Sequence, residues 1–577
     1  MGRRSWAVGV ALVVAVFAWS VAPARAAGER CPATFRCLSV TVPLDRSGAT
    51  PGTLALPVLV ERGRGPILIA LGGGPGQGMV GVGPVLAGFL GPMTGRRVAV
   101  FDQRGTGATA VRCPSLQRLA LTDFTVPPPG TVEACGARLG AARAFYSTTD
   151  SVEDLEAVRA ALGADRVDVL GVSYGTYLAE RYARAHPDRV SRLVLDSVVP
   201  QQDVDIFVRD SLRRAGHDLR ALCAAGACRR ITSDPVADLA AVVRRANERP
   251  LSGAVRTGPR TRTRISVDGP GLFDVATTWT SFRPDLFAFA PAALAQANDG
   301  DPDLLLRLVK LARRANPAVP AQELSWGLHT ATLCADLATP WGGPASDPAT
   351  RAASVSATLD PLPASSFAPF DRFTSAHNGL ADTCERWPAT TVAPPPEPGP
   401  LPAVPTLLLN GAWDMSTPVP GAREEAARSS TAQLVVVPHA GHSVVTGVRC
   451  TARIVRRFFR DRPLVRPCVG NPRPEALAVP RRLGDMTGSR RALARRVARL
   501  TIADATSAAG TSRRFGGLRG GWIERRGRGA LVLHRDELIR GAPVSGTLGR
   551  TPRVHVGGRL NADVTFDTPG APAVRLR

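Results

Sequence analysis

Short apolar runs rich in β-branched residues alternate with amphipathic stretches from about Cys37 to Pro200. That rhythm predicts strands separated by helices, and so a mostly parallel α/β sheet, because parallel neighbours need a crossover between them. Pro66 to Leu71 and Arg97 to Asp102 read as buried strands. Ser151 to Leu162 reads as a helix, since Val152, Leu155, Val158 and Leu162 recur on one face. Arg166 to Val172 reads as the next strand, Gly175 to His186 as a helix and Val190 to Leu195 as a further strand.

The rhythm then breaks. Residues 201–400 are rich in alanine and arginine and mostly helical in pattern, with loops near Thr257–Thr263 and a closing proline-rich run at Pro394–Pro402. Alternation resumes with the strands Val404 to Asn410 and Gln433 to Val437 and with helices near Ala422–Ser429 and Ala452–Arg460. A helical insertion between two halves of one sheet predicts a cap over the sheet's carboxyl edge, where open α/β sheets place their sites. The expected organisation is a first core half at 31–200, a cap at 201–400, a second core half at 401–470 and a small extension at 471–577. That extension holds 21 arginines against 8 acids, with a basic helix around Arg490–Leu500 and short β-prone pieces beyond it.

Composition changes this picture mainly at the ends. Arg3 and Arg4 precede an apolar run from Trp6 to Ala22 and then Pro23-Ala24-Arg25-Ala26-Ala27, which reads as a signal peptide cut after Ala26 and so as a secreted, extracytoplasmic chain. Ten cysteines, an even number, fit an oxidising compartment. Their order suggests the local pairs Cys31–Cys37, Cys113–Cys135, Cys223–Cys228, Cys334–Cys384 and Cys450–Cys468, although sequence alone leaves other connectivities open. No CxxC and no histidine at ligand spacing accompany them, so neither a metal nor an organic cofactor is expected. The net charge of +24 raises nucleic-acid binding as a class. The basic residues are almost all arginine, with Lys310 the only lysine, and no zinc-finger spacing or aromatic RNA-binding signature joins them. No nucleic-acid partner is expected. The basic extension leaves electrostatic association with anionic envelope polymers as an expectation from charge alone.

The chemistry concentrates where strands end. Gly171-Val172-Ser173-Tyr174-Gly175 matches G-x-S-x-G between a predicted strand and a predicted helix, the setting in which a tight turn exposes a nucleophilic serine. The Tyr174 N–H then faces a developing oxyanion at the helix N-terminus. Gly72-Gly73-Gly74-Pro75-Gly76 follows another strand and offers a second donor from Gly73 or Gly74; it lacks the Gly-Lys-Ser/Thr ending of a phosphate loop. A serine hydroxyl needs a base and an orienting acid. His442 lies just past the last sheet strand, with His439 as its nearest rival. Asp414 lies past the strand before, with Asp196 as the alternative acid. His186, His534 and His555 read as structural or exposed.

These strings, with Phe101-Asp102-Gln103-Arg104-Gly105-Thr106-Gly107 and Asp414-Met415-Ser416-Thr417-Pro418, resemble the proline iminopeptidase and tripeptidyl aminopeptidase group of α/β-hydrolases. The order Ser173, Asp414, His442 is the order of that fold. The likeness covers about residues 31–470 and includes Val42-Pro43-Leu44-Asp45, Cys334-Ala335-Asp336 and Cys384-Glu385-Arg386-Trp387-Pro388, found in the exported, TAP-like branch. It implies an α/β-hydrolase fold with a helical cap and an exopeptidase that works from peptide N-termini through an acyl-enzyme. It also implies cap acids for the substrate amine, for which Glu323, Asp336 and Glu385 are candidates. Leu71-Gly72 stands where the group often has histidine or asparagine, and residues 471–577 lie outside the shared region. An esterase using the same triad on small acyl esters is the alternative.

Overall fold

A central sheet of eight strands runs between Phe35 and Val437. Its strands are β1 (Phe35–Pro43), β2 (Thr53–Glu61), β3 (Ile67–Leu71), β4 (Arg97–Phe101), β5 (Val167–Val172), β6 (Val190–Asp196), β9 (Thr406–Gly411) and β10 (Ala432–Val437). They lie in the order β1–β2–β4–β3–β5–β6–β9–β10. Only β2 runs against its neighbours; from β4 to β10 every pairing is parallel. This is the mostly parallel α/β sheet that the alternation predicts, in the α/β-hydrolase arrangement that the resemblance implies. The computed structural model describes residues 31–576 except 203, 465–467, 469–470, 510–511, 528–529, 550 and 567–572, so the expected signal peptide lies outside the described residues.

Central strands such as β3 are buried along their whole length, because helices cover both faces. On one face α2 (Thr148–Ala161) and α3 (Tyr174–Ala185) bury Leu155, Val158, Tyr177 and Leu178 against Ile69, Val169 and Leu193. On the other, α1 (Gly83–Thr94) and the helix Thr451–Phe458 bury Leu90, Met93 and Phe458 against Leu68, Leu170 and Leu407. Ser147 caps α2 by accepting from the Asp150 N–H.

The insertion after β6 is mainly helical, as its pattern predicts, with α4 (Gly269–Thr277), α5 (Asp303–Ala315) and α6 (Trp326–Asp336) among its helices. The loop expected near Thr257–Thr263 connects the two strands of a hairpin that the helical reading missed, β7 (Leu251–Arg256) with β8 (Arg262–Val267). Polar, exposed threonines and arginines masked its alternation.

Past Cys468, α7 (Arg490–Ala508) precedes a seven-stranded antiparallel sheet of β11 (Arg514–Gly516), β12 (Gly520–Arg526), β13 (Ala530–Glu537), β14 (Val544–Leu548), β15 (Arg553–Val556), β16 (Ala562–Thr565) and β17 (Ala573–Leu576). These residues share one apolar core with the cap: Leu305, Leu306 and Val309 belong with Val497, Phe515 and Leu533. Polar links reinforce it. Arg307 of α5, fully buried, grips Asp504 of α7 through two bonds of 2.7 Å and donates to Gly516 O at 2.6 Å. Five disulfides form, and they are the five local pairs suggested by order. Among the described residues no helix is long and apolar enough to cross a membrane.

Candidate active site

Ser173 sits between β5 and α3 with φ 56° and ψ −128°. A non-glycine residue holds that conformation only where its surroundings enforce it, and such strain clusters at functional sites. The two flanking glycines are steric requirements. A Cβ on Gly171 would lie 2.2 Å from Gly175 O, and one on Gly175 would lie 2.5 Å from Leu71 O. The elbow thus presses against the end of β3, and Ser173 N–H donates to Asp196 O at 2.9 Å. Tyr174 opens the helix, so its N–H belongs to the first turn, where backbone donors lack intrahelical acceptors.

The glycine-proline loop lies against the serine. A Cβ on Gly73 would fall 3.1 Å from Ser173 Cβ and 3.5 Å from its Oγ. Gly73 N–H donates to Gln77 Oε1 at 3.1 Å, whereas Gly74 N–H has no partner among the described residues. Of the two glycines named as oxyanion donors, Gly74 is the one with its N–H uncommitted. The string from Asp102 to Gly107 anchors the segment that follows this loop. Asp102 Oδ1 accepts the N–H groups of Met79 and Val80 at 2.8 and 2.9 Å, and burial raises its pKa. Gly107 is needed because a Cβ there would lie 1.8 Å from Asp102 Oδ2. Arg104, fully buried, forms a two-pronged pair with Asp154 at 2.7 and 2.8 Å and donates to Phe145 O at 2.7 Å. Those residues hold the fold around the site and do not enter it.

Asp414 and His442 come together from the loops after β9 and β10. Asp414 is fully buried, and its Oδ2 receives His442 Nδ1 at 2.8 Å and the Thr417 hydroxyl at 2.7 Å. Its Oδ1 receives the N–H groups of Ser416 at 2.9 Å and Thr417 at 3.1 Å. Burial pushes Asp414 up, but the neighbouring imidazole and these donors outweigh it and hold the carboxyl below its ordinary range. Burial pulls His442 down, yet the charge and hydrogen bond of Asp414, with smaller contributions from Asp196 and Asp123, raise its pKa above the ordinary value. An imidazole tethered at Nδ1 presents Nε2 for proton transfer.

The rival residues have other partners. Asp196, pushed up to about 7 by burial, accepts Val444 N–H at 3.1 Å and Val445 N–H at 2.8 Å, fixing the turn that follows His442. His439 bonds Asn471 O at 3.0 Å and packs edge-on against Trp413. His186, His534 and His555 pair with Glu153, Glu524 and Asp563.

The three cap acids are dispersed. Glu323 is brought to the glycine-proline loop, where its carbonyl accepts Gly78 N–H at 2.9 Å, and burial raises its carboxyl pKa. Asp336 is buried and accepts Thr148 N–H at 3.2 Å at the start of α2. Glu385, also raised by burial, lies in the helix Gly379–Arg386, beside Asp382. Two other residues at the site carry no sequence signal. His329, kept below its ordinary pKa by burial, bonds Pro75 O through Nδ1 at 3.0 Å, and its Nε2 lies 3.6 Å from Asp123. Ser281, in the cap, hydrogen-bonds Asp414 Oδ1 at 3.3 Å. Neither belongs to a motif, and both reach the site only through tertiary packing.

The described residues contain no cluster of histidines, cysteines or acids suited to a metal ion.

Residues 66–236 match the family described as "alpha/beta hydrolase fold", and residues 368–466 match the one described as "TAP-like protein". The chain is similar to a tripeptidyl aminopeptidase of Streptomyces coelicolor, 31% identical over 206 residues that cover 31% of this chain and 38% of that protein. It is similar to the serine protease Hip1 of Mycobacterium bovis, 36% identical over 96 residues, 16% of this chain and 18% of that one. A proline iminopeptidase of Xylella fastidiosa is 33% identical over 102 residues, 18% of this chain and 24% of its own. Each match thus spans well under half of the relative's length.

Proposed function

For a chain that carries an α/β-hydrolase fold with a TAP-like segment in its second half, we propose the activity of a secreted serine aminopeptidase. The observation that carries it is the Asp414–His442 couple, joined at 2.8 Å, together with the strained Ser173 elbow at the end of β5 in the same sheet. In this reading Ser173 Oγ attacks the scissile carbonyl while His442 Nε2 takes its proton. The Tyr174 and Gly74 N–H groups receive the oxyanion, with Gly73 joining if Gln77 withdraws. Collapse expels the amine with the proton returned from His442, and water repeats the sequence on the acyl-enzyme. Asp414 stays ionised and steadies the imidazolium.

Negative charge at the site supports a substrate with a free amine. Glu323 adjoins the glycine-proline loop through its backbone bond to Gly78, Asp123 lies 3.6 Å from His329 Nε2, and among the described residues neither pairs with an arginine or lysine. Burial holds the His329 pKa below its ordinary value against the pull of Asp123. Five disulfides support an oxidising, extracytoplasmic setting. The experiment compares one peptidyl arylamide with a free and with an acetylated N-terminus, beside a small acyl ester. Cleavage of the free arylamide and not of the acetylated one is expected, whatever the ester does, with Ser173→Ala abolishing it. Equal cleavage of the acetylated form and the ester points to the esterase, and an active Ser173→Ala enzyme refutes the serine mechanism.

A further inference from the structure

The cap touches the Asp414–His442 couple through one short segment. After α4 the chain widens into a π-turn, Thr278–Phe282, a distortion that often accompanies functional sites. Ser281 in that turn is buried. Its Oγ accepts the N–H groups of Met415 at 3.0 Å and Ser416 at 3.2 Å while its hydroxyl donates to Asp414 Oδ1 at 3.3 Å. Its carbonyl accepts His442 N–H at 2.8 Å. The Phe282 ring lies edge-on to the imidazole, 5.2 Å between centroids. Gly441 permits this approach, since a Cβ there would lie 2.2 Å from Ser281 O.

We propose that Ser281 is a positioning residue of the catalytic site, a cap-borne serine that sets the Asp414 carboxylate and the His442 backbone in one frame. The inference rests on the serine-hydrolase reading above. One residue bonds the loops of two different strands, β9 and β10, using its side chain for the acid and its main chain for the base. The far end of the segment is itself braced: Arg283 forms a two-pronged pair with Asp285 at 2.9 and 2.7 Å and donates to Ser507 O of α7 at 2.8 Å. The cap and the C-terminal module therefore belong to the frame that aims the base.

Removing the hydroxyl strands the buried Met415 N–H, loosens the loop and takes one donor from the carboxylate. A carboxylate with fewer donors is more basic and favours the imidazolium more strongly. The charged groups that act on His442 are Asp414, Asp196 and Asp123, and the last two are untouched.

The test uses the full chain and one free-amine arylamide, with Ser281→Ala, Ser281→Thr and Ser173→Ala. Ser281→Ala is expected to lower kcat about tenfold, the scale of one hydrogen bond to a charged group. KM should stay within about twofold, and the acid limb of kcat/KM should move to higher pH. Ser281→Thr, which keeps the hydroxyl, restores both. Unchanged kcat and an unmoved limb in Ser281→Ala overturn the inference, and so does a loss confined to KM. If Ser281→Ala does not fold, Ser281→Cys replaces it, a thiol being a weak donor and acceptor of similar size; full activity there overturns the inference equally. A Ser173→Ala enzyme that stays active removes the serine-hydrolase reading, whereas a dead Ser173→Ala beside a normal Ser281→Ala removes this inference alone.

Discussion

Replacing Asp414 by asparagine keeps the shape of the site and reverses its proton logic. Oδ1 already receives two N–H groups and the Ser281 hydroxyl, so the asparagine oxygen takes that place and its NH2 takes the place of Oδ2. The NH2 then faces His442 Nδ1, which must accept, and the proton is forced onto Nε2, where the serine proton has to go. The lost charge adds to this. Opposite charges about 4 Å apart at an effective dielectric of about 20 attract by about 4 kcal/mol, which is about a thousandfold in rate. With the wrong tautomer included, kcat should fall by about three to four powers of ten while the melting temperature changes little. The pH profile gives an independent check. In the wild type Asp414 lifts His442 above its ordinary pKa, and the base works only above that value, so the acid limb lies high. Without the carboxylate, burial dominates and the limb should move to lower pH. A variant that retains more than about a tenth of wild-type kcat, or keeps the same limb, refutes the reasoning.

Other perturbations follow from buried groups. Arg104→Met leaves Asp154 buried beside the half-exposed Arg46 alone and should cost about 3–5 kcal/mol in a urea melt. Arg307→Met should cost a similar amount, because Asp504 would lie buried near the fully buried Asp536 with no cation beside it. Removing the Cys334–Cys384 bridge, which spans 50 residues, should lower stability by up to about 4 kcal/mol on the chain-entropy scale. Asp123→Asn should raise KM for free-amine peptides and leave KM for small esters unchanged, with steady-state kinetics as the readout.

The sheet was legible because buried strands and amphipathic helices impose different periods, and both show between Ile67 and Asp196. The serine elbow was legible because only glycine fits at 171 and 175. What escaped has a common cause. The β7–β8 hairpin exposes polar residues on most of its length, so it lacks an apolar stripe. The C-terminal strands β11 and β14 are short or interrupted by glycine, and their partner in burial is the cap, far away in sequence. Ser281 and Asp123 gain meaning only when the cap and the loop after β4 fold over strand ends, an event without a local signature. Among the acids, residue type alone could not separate Glu323, next to the glycine-proline loop, from Asp336, whose carboxylate holds the start of α2.

The stitching of the cap to the core bears on how substrate arrives. At the glycine-proline loop Ser325 N–H bonds Gly76 O at 2.9 Å, Gly78 N–H bonds Glu323 O at 2.9 Å and His329 bonds Pro75 O at 3.0 Å; at the loops after β9 and β10, Ser281 holds the acid and the base. At about 1 kcal/mol for each bond, lifting the cap as one body would break several together and disarm the site as it opened. The position of the cap and the readiness of the base are therefore one variable: whatever admits a substrate has to leave those bonds standing.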